Sequence, residues 1–140
     1  MGVTVKEYLS SIKLLDIRLN NKICEKEELY TMATRITPVY SSEPKSSNFN
    51  VSDKVGNLTA KIVDMDKEIS DMIIKLFELK QGIIAKIEML RDPRYYSVLY
   101  KRYVQYKDFS VIAAEMHYTY QTTINLHNEA LKAFEKVMKY

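Results

Sequence analysis

The sequence predicts an all-α protein: a long antiparallel helical hairpin, coiled-coil-like, followed by a compact helix-turn-helix module. Three observations carry this. Apolar residues recur at alternating spacings of three and four through two long stretches. Only 3 glycines and 3 prolines punctuate 140 residues. After Asp92-Pro93 the pattern breaks into three shorter amphipathic runs divided by polar turns. With 46% hydrophobic and 28% charged residues, the chain has enough apolar surface to fold rather than stay disordered.

The first helix is expected from about Thr4 to Ile36. Its stripe runs Val5, Tyr8, Ile12, Leu15, Leu19, then Lys22 and Lys26, then Leu29, Ala33 and Ile36. The two lysines weaken the middle, although their long stems can cover apolar surface, and Leu14 and Ile23 flank it. Thr37-Pro38 ends the helix. The serine-rich connection at 37–52 reads as a mobile loop. From Asp53, a residue suited to capping, the seam Val55, Leu58, Ile62, Met65, Ile69, Met72, Leu76, Leu79 and Ile83 continues past Lys86 to Leu90. About 37 residues at roughly 1.5 Å each make a helix of about 55 Å. Ile73, Phe77 and Ile87 are expected to widen its apolar face. The hairpin is expected to fold within one chain, to pair subunits, or both.

Residues 1–90 therefore form one predicted domain, the hairpin extension, and residues 91–140 the second. Pro93 suits the first turn of the next helix, which carries Tyr95, Tyr96, Leu99, Tyr100, Tyr103 and Val104 and ends near Tyr106. Seven of the 11 tyrosines lie between residues 95 and 120. Their near-helical spacing favours packing between helices over stacking on exposed bases. Asp108 is placed as the cap of a short helix, Phe109 to Met116, with Phe109, Ile112, Ala113 and Met116 inward. His117 and Tyr118 make a tight turn, and Thr119 caps a last helix. That helix carries Thr122, Ile124, Leu126 or His127, Ala130, Leu131, Phe134 and Val137 along its apolar side. A short helix, a three-residue turn and a longer helix is the arrangement that places a final helix in a major groove.

Charge agrees with that module. The formal net charge is +3, and the surplus lies in residues 91–140, with 8 basic against 5 acidic side chains. The acidic run Asp64, Asp66, Glu68 and Asp71 is interspersed with lysines, as on the outer face of a coiled coil. The single cysteine, Cys24, rules out an intrachain disulfide and fits a reducing compartment. The opening MGVTVKEYLSSIKLL lacks the pattern of a secretory signal, and no stretch approaches 18 uncharged apolar residues. A cytoplasmic protein without membrane contact is expected. Two histidines, a lone cysteine, and no phosphate loop or nucleophile elbow point to no enzyme, no metal and no cofactor.

The residues Arg102, Tyr103, Ile112, Ala113, Glu115, Met116, Tyr118, Tyr120, Thr122, Leu126, His127, Ala130, Leu131, Lys132, Glu135 and Lys136 form a pattern. It resembles the phage ArpU-like late transcription regulator family, whose C-terminal module is similar to the fourth region of bacterial primary sigma factors. KEYLSSIKLLD at 6–16, ITPVYSS at 36–42, DKVGNLTAKIVDMDKEI at 53–69 and EMLRDPRYYSVLYKRY at 88–103 extend the resemblance over nearly the whole chain. It implies a helical phage or prophage protein that regulates late genes through a sigma-like DNA-binding module, with double-stranded DNA and host RNA polymerase as partners. The chain departs from the family where His117 replaces a usual glycine. It departs again where Gln121, Asn125 and Glu129 stand at places usually arginine or lysine.

Without those cations, base contacts are assigned to Gln121, Thr122, Asn125 and Asn128, whose amides and hydroxyl suit adenine edges or a thymine methyl. Phosphate contacts are assigned to Lys101, Arg102, Lys107, Thr119, Lys132 and Lys136. A homodimer would double them. The rival class is an interaction protein acting through the hairpin on a host or phage protein, with the C-terminal module as scaffold.

Overall fold

The computed structural model describes residues 3–36 and 48–139. Among them no strand occurs. The elements are α1 (Val5–Ile36), α2 (Asn48–Glu88), α3 (Pro93–Leu99) running into a π-helical turn (Tyr100–Val104), α4 (Phe109–Met116) and α5 (Tyr120–Met138). The Thr4 hydroxyl accepts from the Glu7 amide at 3.1 Å, satisfying one of the first-turn donors of α1. Of the expected loop, residues 37–47 lie outside the described residues, whereas 48–52 belong to α2. Asp53 is thus inside a helix and does not cap it. Residues 48–52 contain neither proline nor glycine, so nothing stops the helix from extending N-terminally past a good capping residue.

The chain divides into two compact units, Met1–Asp16 with Lys75–Tyr140, and Ile17–Ile74. This differs from a boundary at residue 90. The reason is a shared core: Leu9 and Ile12 of α1, and Ile83, Ile87 and the following Leu90, are buried in one cluster with Val98, Leu99, Tyr103, Ile112, Leu126, Ala130 and Phe134. A C-terminal module cut at residue 91 would expose half of that cluster. Each fully buried Leu, Ile or Phe contributes about 1.5–3 kcal/mol relative to exposure. Lys86, the break in the α2 seam, is half-buried; its ammonium donates to the Tyr8 hydroxyl at 2.9 Å and lies 4.6 Å from the Tyr8 ring centre.

In the second unit Leu19, Met65 and Ile69 are buried, and Val55, Leu58, Ile62 and Met72 are half-buried. The two seam lysines of α1 find acids on α2: Lys22 pairs with Glu68 at 3.4 Å, and Lys26 with Asp66. As one helix ascends from 22 to 26 the other descends from 68 to 66, so the segments run antiparallel here. Ile73 and Phe77 do not widen the buried face. They are 49% and 63% exposed, while Ile87 is buried as expected.

Asp92 caps α3 by accepting from the Arg94 amide at 2.9 Å, with Pro93 in the first turn. The expected single helix to Tyr106 instead widens at Tyr100, where Gln105 N–H reaches the Tyr100 carbonyl at 3.0 Å, five residues back. Tyr106 then takes a left-handed conformation, φ 60°. Its hydroxyl is enclosed without a hydrogen-bond partner; burial, with the Asp16 carboxylate nearby, pushes it up to about 12.

Candidate nucleic-acid interface

The α4–α5 turn is built by its backbone. His117 adopts φ 62°, ψ 40°. Tyr118 N–H donates to Ala113 O at 2.9 Å and His117 N–H to Ala114 O at 3.4 Å, the paired bonds of a Schellman ending. Glycine is the usual residue at such a position because a β-carbon is penalised there. Thr119 then caps α5, its hydroxyl accepting from Thr122 N–H at 3.1 Å.

The turn presents α5 with one face committed to the core: Thr123, Leu126, His127, Ala130 and Phe134. The sequence placed Thr122 on the apolar side, but the structure buries Thr123, whose hydroxyl donates to Thr119 O at 2.9 Å, and exposes Thr122. Both alternatives, Leu126 and His127, turn inward. His127 sits against Tyr103, ring centres 5.6 Å apart, and against the edge of Phe109 at 4.9 Å. Asn128 Oδ1 can only accept, so the 3.4 Å contact to His127 Nδ1 places the ring hydrogen there and leaves Nε2 to accept from the Tyr103 hydroxyl at 2.7 Å. Burial pushes the imidazole below its ordinary value and the Tyr103 phenol above its own.

On the opposite face Gln121, Thr122, Asn125, Asn128, Glu129, Lys132 and Lys136 are all exposed. Gln121 Nε2 donates to Asn125 Oδ1 at 3.1 Å, one turn along. Thr119 donates its hydroxyl hydrogen to the Thr122 oxygen at 2.8 Å, so this candidate phosphate ligand is already engaged within the cap. Lys132 borders an open groove of about 620 Å³ with Val5, Leu131, Glu135 and Met138.

The remaining cations are less available than the sequence implied. Lys101 and Lys107 both pair with the Glu115 carboxylate, at 2.8 Å each, which holds that carboxyl below the usual range, Lys101 foremost. Arg102 lies over the Phe109 ring at 4.3 Å and donates to Lys107 O at 3.1 Å. Glu115 is the residue sequence reasoning missed, because its partners lie 14 and 8 positions back across the π turn. Arg94 was missed too. It grips Asp92 through Nε at 3.2 Å and Nη2 at 2.8 Å, and Asp92, with a smaller contribution from Tyr118 in the turn, raises its guanidinium further. The Asp-Pro-Arg triplet was the available signal.

Among the described residues no group of His, Cys, Asp and Glu could hold a metal ion, and no helix is long and apolar enough to cross a membrane. Cys24 is exposed. No protein-family model matches the chain, and neither curated proteins nor solved structures include a similar one.

Proposed function

We propose that the chain binds duplex DNA through the outer face of α5 and acts as a sequence-specific transcriptional regulator. One observation carries this reading. The first four turns of α5 hold the core with one face and leave the other, from Gln121 to Lys136, polar and exposed behind a tight three-residue turn. A helix so presented has the shape and side chains for a major groove. Regulation of phage or prophage genes and contact with host RNA polymerase draw their support from the motif resemblance. The engagement of Lys101 and Lys107 by Glu115 shifts the phosphate-binding share toward Lys132 and Lys136.

The test is fluorescence anisotropy of the full chain on mixed-sequence duplex DNA at about 50 mM salt, followed by a salt titration. Lys132→Ala and Lys136→Ala should weaken all sequences alike, each flattening the salt slope by about one unit. No association at that salt removes the DNA reading. The second reading, an interaction protein, is favoured by Ile17, Val63, Ile73 and Ile74 in the second unit, each 46–60% exposed. Under it, a chain that ignores DNA would lose its protein partner on Ile73→Glu or Ile74→Glu substitution.

A further inference from the structure

We infer that Asn125 reads an adenine, and that Gln121 is the positioning residue that sets its amide for this; the inference rests on the DNA-binding reading above. From Tyr120 to Leu131 α5 contains no lysine or arginine. Guanine offers two acceptors, O6 and N7, to the major groove, and its usual reader is a cation with two donors. That reader is absent from the first three turns. Adenine offers one acceptor, N7, beside one donor, the N6 amino group, and its complement is a side-chain amide presenting N–H and C=O together.

Four polar side chains were candidates for that role, and their own bonds separate them. Thr122 has its oxygen engaged by the Thr119 hydroxyl at 2.8 Å. Asn128 turns its Oδ1 toward the His127 ring. Gln121 spends a donor on Asn125 at 3.1 Å. Asn125 receives that bond on one lone pair of Oδ1, so it keeps the second lone pair and both Nδ2 hydrogens. The bond also fixes which way the amide faces, because Gln121 Nε2 can only donate and therefore selects the oxygen. Against adenine the free lone pair meets the N6 amino group and Nδ2 meets N7. Against guanine the same oxygen would face O6, acceptor against acceptor. The arrangement thus selects adenine and penalises guanine at one position.

The experiment is selection from a randomised duplex pool with the full chain at low salt, followed by competition using the selected duplex and a copy carrying 7-deazaadenine, which pairs normally but lacks the N7 acceptor. An adenine whose replacement by guanine lowers affinity by about 5- to 150-fold is expected, with a loss on the 7-deaza duplex as well. Asn125→Ala should erase both differences while leaving affinity for unselected duplex unchanged. Gln121→Ala should reduce the adenine preference without abolishing it, and should leave unselected binding and thermal stability as they were, since the residue is exposed. A consensus anchored on guanine, indifference of the wild type to 7-deazaadenine, or an Asn125→Ala variant with unaltered preference overturns the inference while DNA binding stands. Absence of any duplex binding is a different result and removes both readings.

Discussion

The two compact units use the same pair of helices and hold them differently. In the first, Leu9, Ile12, Ile83 and Ile87 are sealed, at most 1% exposed, in a cluster to which α3, α4 and α5 also contribute. In the second, full burial is confined, among the described residues, to Leu19, Met65 and Ile69, and lysine–carboxylate pairs border the seam. A three-and-four repeat therefore chooses which side of a helix turns inward. How deeply that side is buried depends on what covers its flanks, and exposed ion pairs add little, typically 0–1 kcal/mol.

The sharpest way to break this comparison is to cut a hole in each unit. Phe134→Ala, at a fully buried site, should cost about 3–5 kcal/mol, whereas Ile69→Ala should cost about 2, the lower end for such truncations, because its half-exposed neighbours can relax into the space. Urea denaturation of both variants checks this. Equal losses would mean that the second unit is as tightly packed as the first. Overfilling gives a smaller effect. Ala113 is buried between α4 and its surroundings, so Ala113→Leu should cost about 1–3 kcal/mol in thermal denaturation, and an unchanged melting temperature would show room where the structure has none.

A third distinction is a slope rather than a step. His127, with Tyr103 and Phe109 against it and with Lys6 and Arg102 as the neighbouring cations, has a depressed folded-state pKa. Below its ordinary 6.5 the unfolded chain takes up a proton that the folded one resists. Its contribution is thus present above that pH and lost as pH falls toward the folded value. Stability measured between pH 7 and 5 should decline, and His127→Gln should flatten the decline; an identical slope in the variant would assign it to other groups. The smallest effect concerns the turn. His117→Gly should stabilise by about 1 kcal/mol or less, by relieving the left-handed strain at residue 117. A destabilised glycine variant would show that the imidazole makes compensating contacts.

The sequence made much of this legible. Every described seam residue of α2 from Val55 to Leu90 is buried or half-buried, Lys86 included, and the order of the C-terminal helices follows from Pro93, Thr119 and the apolar rhythm. Periodicity fails where contacts join distant positions. It could not show that Glu115 gathers Lys101 and Lys107, since that depends on how the chain is wound between them. Nor could it choose between Thr122 and Thr123, adjacent residues of the same type, because a one-residue difference in phase decides which is buried. Ile73 and Phe77 misled for the opposite reason: their composition suggested a wider interior, but nothing in the structure packs over them to bury them.

The widened turn at Tyr100–Val104 has a consequence for how this chain tolerates change. A π turn contains more residues per revolution than the α-helix, so it absorbs chain length without altering direction. Here it keeps Leu99 and Tyr103 both inward, four positions apart, and lets the Tyr103 hydroxyl reach His127. Loss of one residue anywhere in the segment would return it to ordinary α winding and swing everything after it by roughly 100° about the axis. Substitutions along YKRYV alter single contacts. A single-codon deletion there would re-aim the whole of α4 and α5, so the count of residues in this turn is itself a structural element.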